Sequence, residues 1–304
     1  MLDDKLKDSL DASMQTSHPL RGKTAIVTGA AVGLGRAYTD ALLAAGARIA
    51  VCDTRDDLDT PFTDETNICH REQLDVRDPT AVRQFVDHVI EQQGQIDILV
   101  NNAGVWGASN IHDTPAKSAA DYALILGTNL KGVFLFGRAV LAHMLETGAG
   151  GDIVNIATDH MVTCGTPWHK CPGNAQCPWA DTPRPTSGGD NMDIYDAAKW
   201  GMNGLLYSWA KTGAPAGIRV NQLCMGATDS HMLRSFHNFD PSPEEVATWM
   251  RPEDQGRILV ELLHEGPTGR NAQSINFCVG RPVELEDPLP HTYISPDEVK
   301  VRRS

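Results

Sequence analysis

The chain of 304 residues carries a formal net charge of −13, with 41% hydrophobic and 21% charged residues, the proportions of a globular protein with one large or two small α/β cores. The acidic balance argues against a nucleic-acid backbone as partner, because no basic stripe offsets it. No apolar run approaches the roughly 20 residues a membrane-spanning helix needs. Met1–Ser17 lacks the apolar centre of a signal peptide, so the seven cysteines are expected to be reduced thiols in a cytoplasmic protein.

Residues 1–20 read as a polar extension. Thr24 to Thr28 is a short β-branched apolar strand, followed by Gly29-Ala30-Ala31-Val32-Gly33-Leu34-Gly35, a helix from Arg36 to Ala45 and a second strand from Arg48 to Cys52. Glycines at such a strand-to-helix turn let the backbone approach a pyrophosphate at the positive end of the helix. The spacing is Gly-x-x-x-Gly-x-Gly rather than the general Gly-x-Gly-x-x-Gly. Asp53, at the end of the second strand, suits both ribose hydroxyls of NAD and repels the 2′-phosphate of NADP. A strand-end Asp that caps a turn is the plainer alternative.

Gln73 to Val76 ends a third strand, and Pro79 opens a helix to Gln92. The strand Ile96 to Val100 runs into Asn101-Asn102-Ala103-Gly104, two amides and a glycine at a strand's carboxyl end. A helix from about Ser118 to Glu146 carries Asn129 near its middle, where a poor helix former has either a bonding role or a solvated one. Asp152 to Ala157 is a fifth strand, with Thr158, Asp159 and His160 at its exit.

From Met161 to Asp190 the periodicity stops, and prolines, glycines, Trp168, Trp179, Cys164, Cys171 and Cys177 accumulate in what reads as a long inserted loop beside the site. Cys164, His169, Cys171 and Cys177 match no common zinc spacing, and no metal is assigned; free thiols, a disulfide and zinc all stay open. Trp168 and Trp179 either wall a substrate or form the loop's own small core. His160 either contacts substrate or is a hydrogen-bonded structural histidine.

Next comes Tyr195-Asp196-Ala197-Ala198-Lys199 on a helix to about Lys211. Residues four apart share a helix face, so the ammonium sits beneath the phenol and is expected to lower its pKa from about 10 toward that of a usable base. Ile218 to Gln222 is a sixth strand, and Ser230 to Pro252 is a flap broken by Pro241 and Pro243. A helix from about Asp254 to His264 and a strand from Ser274 to Val279 complete the sheet, before a polar tail from Arg281. Residues 21–280 are thus expected to form one doubly wound, three-layer α/β domain with about seven strands.

In this order the signals resemble the short-chain dehydrogenase/reductase family over roughly residues 20–280. The matching residues are Thr28-Gly29-x-x-x-Gly33-x-Gly35, Asp53, Asp75-Val76, Asn101-Asn102-Ala103-Gly104, Asn129 and Tyr195-x-x-x-Lys199. The resemblance implies a Rossmann sheet, NAD as cofactor, an alcohol or ketone as substrate, and a homodimer or homotetramer built on the two long helices. Tyr195 would be the acid/base, and Lys199 would hold the nicotinamide ribose. Asn129 would hold a water, Asp75 and Val76 would contact adenine, and Asn101, Ala103 and Gly104 would line the cofactor cleft. Thr158 stands where the family places its catalytic Ser, and Gly226 and Ser230 lie in the segment that meets the carboxamide. The reading is an NAD-dependent alcohol dehydrogenase. A ketone reductase running the reverse reaction and a nucleotide-sensing binding protein without catalysis are the rivals.

Overall fold

The computed structural model describes residues 18–60, 62–161, 191–277, 279–280 and 282–287. The insertion from 162 to 190, with Trp168, Trp179 and its three cysteines, lies outside the described residues, as do the extension to residue 17 and the tail from 288.

Strands β1 (Thr24–Thr28), β2 (Arg48–Asp53), β3 (Ile68–Gln73), β4 (Ile98–Asn101), β5 (Gly151–Thr158), β6 (Ile218–Met225) and β7 (Ser274–Phe277) form one parallel sheet in the order β3-β2-β1-β4-β5-β6-β7. Helices cover both faces, as a parallel sheet requires. They are α1 (Gly33–Ala44), α2 (Pro79–Gln93), α3 (Pro115–Thr147), α4 (Asp193–Gly213), the short α5 (His231–Phe236) and α6 (Pro243–Val246), and α7 (Pro252–His264). This is the expected doubly wound Rossmann sheet.

Alternation along the strands divides the core. Val27, Val51 and Val100 face α1 and α7, while Ile26, Ala50 and Leu99 face α2, α3 and α4. Helices approach closely where glycine permits: a Cβ on Gly137 would lie 2.2 Å from Trp209 Cη2, so α3 and α4 meet at this pair.

Several boundaries differ from expectation. β3 stops at Gln73, and Leu74 to Val76 lie beyond the sheet as the rim of a cleft. β6 extends to Met225, in register with Thr158 of β5. The flap contains two short helices, separated where Asn238 and Phe239 take positive φ.

Helix α3 contains an 18-residue stretch of mean hydropathy 1.4, half of it buried, and by length and composition it could cross a membrane. That corrects the expectation that no apolar run approaches such a length. The helix packs on β4, β5, α2 and α4, which accounts for the buried half of its apolar residues, while Leu124, Phe134 and Leu145 are exposed. At Gly127–Gly132 it makes a π turn, an insertion that helix-forming residues do not announce.

Candidate active site

Strand order reverses between β1 and β4, the place where an open parallel sheet leaves a crevice at its carboxyl ends. A cleft of about 930 Å³ lies there. Its floor is built from glycine by necessity. Gly29 has φ +66°, and a Cβ on it would sit 2.8 Å from Ala103 Cα; one on Gly35 would sit 1.9 Å from the Gly29 carbonyl oxygen. Gly33 also has positive φ, at the first turn of α1, where backbone N–H groups are unpaired and the helix end is positive.

The loop is latched from the neighbouring strand. Thr28 Oγ1 accepts the backbone N–H groups of Asn102 and Ala103 at 3.1 and 3.0 Å, and Asn102 Nδ2 donates to the Thr28 and Gly29 carbonyls at 3.0 and 2.9 Å. Asn101 does not line the cleft, which corrects its expected place. It points into the sheet and donates to Asn155 Oδ1 at 2.9 Å, so Asn102, Ala103 and Gly104 form the wall.

At one end of the cleft, Asp53 is buried at the tip of β2. Its carboxylate accepts the Ala31 and Arg55 backbone N–H groups at 3.0 and 3.1 Å, which fixes it beside the glycine loop. Asp75 and Val76 line the same end. Asp75 is held by the Arg77 guanidinium, Nη2 to Oδ2 at 2.6 Å, and this pairing lowers its carboxyl pKa. The glycine cradle, the helix terminus and the strand-end carboxylate fit the pyrophosphate and ribose of a dinucleotide.

At the other end, Thr158, Asp159, His160, Tyr195 and Lys199 come together with Gly226. Lys199 is buried and donates to the Ile156 carbonyl at 2.7 Å, with its Nζ 5.8 Å from the centre of the Tyr195 ring. The expected helical stacking is therefore present, but its electrostatic consequence is corrected. Burial raises the Tyr195 phenol far above its ordinary pKa, the Asp196 and Asp159 carboxylates raise it further, and a hydrogen bond with Thr158 opposes them. Burial also lowers Lys199 to about 8, so the ammonium is itself close to titrating.

Asn129 is held from within the fold. Fully buried in the π turn, its side chain accepts the Val105 N–H and donates to the Val105 carbonyl, both at 2.8 Å, and it does not line the cleft. It pins the loop after Gly104. Ser230 does line the cleft, and its Oγ caps α5 by accepting the Leu233 N–H at 3.1 Å. His160 reaches the cleft with Nδ1 2.8 Å from Asp196 Oδ1, its ring edge-on to Tyr195.

Sequence reasoning passed over three contributors. Asp159 and Asp196 were visible only as neighbours of named residues, and their convergence depends on β5 and α4 meeting. Trp106, two residues after Gly104, meets Phe236 of α5 with ring centres 3.9 Å apart and planes tilted by 42°, and both line the cleft.

With this geometry in place, comparison with known proteins identifies the class. The family described as short chain dehydrogenase matches residues 23–164, and the one described as Enoyl-(Acyl carrier protein) reductase matches residues 184–275. The 2-(R)-hydroxypropyl-CoM dehydrogenase of Xanthobacter autotrophicus is 33% identical, covering 85% of this chain and 91% of its own length. The sorbitol-6-phosphate 2-dehydrogenase of Klebsiella pneumoniae is 30% identical, covering 90% and 89%. Among solved structures, levodione reductase superposes with a TM-score of 0.66 at 26% identity, covering 84% of this chain and 96% of that one. The chain belongs to the short-chain dehydrogenase/reductase family. It is an oxidoreductase, and its fold binds a nicotinamide cofactor, NAD or NADP.

Proposed function

We propose that the protein interconverts a secondary alcohol and its ketone with NAD as the hydride acceptor. One observation carries this reading: Thr158, Tyr195 and Lys199 converge in the same cleft as a glycine cradle that ends on Asp53. Bound NAD would accept the hydride and add a positive charge beside the phenol. The protein's own part is to place and move the proton. Thr158 and Tyr195 are hydrogen-bonded and bracket the position of the reacting oxygen. Tyr195 takes the proton of the alcohol or returns it to the ketone. Lys199 supplies a buried cation whose pKa near 8 keeps its charge responsive to what binds beside it.

A second reading, ketone reduction, is favoured by the raised pKa of Tyr195, which keeps the phenol protonated and ready as an acid. Asp53 supports NAD over NADP in both directions, since a carboxylate at that strand end pairs with ribose hydroxyls and repels a phosphate.

The test is a screen of secondary alcohols and their ketones with NAD, NADP and their reduced forms, followed by nicotinamide absorbance. Turnover with NAD exceeding that with NADP is expected. Absence of turnover of any alcohol or ketone in protein that binds the dinucleotide would overturn the reading.

A further inference from the structure

The reacting oxygen belongs where the Thr158 and Tyr195 hydroxyls meet, and the residues just beyond that point are unusual in carrying two acceptors. Asp159 Oδ1 lies 3.4 Å from Thr158 Oγ1, while a side chain on Gly226 would meet Asp159 Oδ2 at 2.8 Å. Glycine at 226 thus leaves the carboxylate its room in the cleft. Among the described residues, Asp159 draws only that long contact from a side chain, together with local backbone N–H groups. That leaves a half-buried carboxylate on the cleft wall, with about four lone-pair sites, room to accept further hydrogen bonds from a bound molecule.

His160 is the second acceptor. Pairing of Nδ1 with Asp196 at 2.8 Å makes Nδ1 the protonated nitrogen and leaves Nε2 to accept. The ring stands edge-on to Tyr195 at 6.2 Å between centres, and both His160 and Asp159 line the cleft. Neither residue is needed to move the proton of the reacting oxygen, which Tyr195 and Thr158 serve. The rest of the lining is largely apolar, with the Trp106–Phe236 pair, Leu124, Met232 and Leu233, and among the described residues its one buried polar side-chain atom without a partner is the Trp106 indole N–H, a donor and not an acceptor.

We propose that the substrate is a vicinal diol on an apolar skeleton, with Asp159 and His160 accepting hydrogen bonds from the hydroxyl next to the reacting one. This rests on the alcohol–ketone reading above. An ammonium group would also donate and would be drawn to Asp159, against repulsion from the buried Lys199 and the positive charge of the oxidised cofactor, so vicinal amino alcohols belong in the test beside the diols. In the oxidation, the carbinol C–H leaves as hydride to NAD, its O–H proton goes to Tyr195 and a C=O bond forms. The second hydroxyl is unchanged, so the product is an α-hydroxy ketone.

The test measures kcat/KM with NAD for matched pairs: cyclohexanol against the vicinal cyclohexanediols, phenylethanol against phenylethanediol, and secondary butanol against vicinal butanediol. Each diol should exceed its mono-ol by about tenfold or more, because a site built to hydrogen-bond a substrate hydroxyl discriminates against an analogue that lacks it. In Asp159→Ala and His160→Phe that ratio should fall toward one, and a ratio is insensitive to a general loss of active protein. Binding of hydroxyacetophenone against acetophenone to NADH-loaded protein, read by NADH fluorescence, should show the same preference and its loss in both variants. Equal use of mono-ols and diols by the wild type would overturn the inference and leave the dehydrogenase reading standing. So would a diol preference that survives in both variants, or a stronger preference for vicinal amino alcohols. Silence of the whole panel in dinucleotide-binding protein would remove both.

Discussion

Replacing Asp53 tests the cofactor end of the cleft with the largest expected signal. The carboxylate is buried, fixed by two backbone N–H groups at 3.0 and 3.1 Å, and lines the cleft beside the glycine loop, where a ribose would be its partner. A hydrogen bond to a charged group contributes about 1.5–3 kcal/mol. Losing one such bond weakens NADH binding about tenfold, and losing two weakens it about a hundredfold, at 1.4 kcal/mol per factor of ten. Asp53→Ala also removes a negative charge that would repel the 2′-phosphate, so NADPH binding should hold or tighten. Part of the loss for both dinucleotides will come from freeing the Ala31 and Arg55 N–H groups, and their ratio cancels that part. Fluorescence titration of wild type and variant with NADH and NADPH should show the affinity ratio moving toward NADPH by at least about tenfold. A ratio unchanged within twofold, in a variant that still binds, would mean that Asp53 touches no ribose and serves only to cap its own turn.

Two further outcomes follow from the same geometry. Gly35→Ala would place a methyl group 1.9 Å from the Gly29 carbonyl oxygen and 2.5 Å from Asn102 Nδ2, so the loop must open; dinucleotide binding should fall by more than about tenfold, and titration showing wild-type affinity would refute the tight cradle. Lys199 has a folded pKa near 8, below its ordinary value of 10.5, so below pH 8 the fold carries the cost of a buried charge, and stability from this residue rises as pH climbs from 8 to 10.5. Lys199→Met should therefore unfold at a higher temperature than wild type at pH 7, with the gap closing by pH 10, while losing turnover. A lower melting temperature at both pH values would contradict the buried-charge argument.

How far the residues themselves announce this molecule differs from part to part. Val27, Val51 and Val100 lie in strands buried on both faces, and continuous β-branched runs mark such strands wherever they occur. Gly29, Gly33 and Gly35 were legible because tight packing at 29 and 35 and a positive φ at 29 and 33 call for glycine, and Tyr195 with Lys199 because helical spacing is fixed. Which of two adjacent asparagines enters the cleft was not legible. Asn101 is the last residue of β4 and pairs across to Asn155, and the pleat alone decides that it turns inward. The role of Asn129 depends on a π turn and on Val105, a contact between residues 24 apart. The pKa of Tyr195 departs from the local reading for a related reason. The helical pairing with Lys199 is local and visible, whereas the depth of burial and the arrival of Asp159 from β5 are properties of the assembled sheet.

The central claim is that the Tyr195 hydroxyl is the proton-transferring group in a cleft that already holds the dinucleotide. Its direct test is Tyr195→Phe, which deletes one oxygen and keeps the ring. For the best alcohol found, kcat/KM should fall by at least about a thousandfold, as expected for loss of a general acid/base, while NADH affinity by fluorescence stays within a few-fold. Turnover within tenfold of wild type, with NADH bound as before, would contradict the assignment.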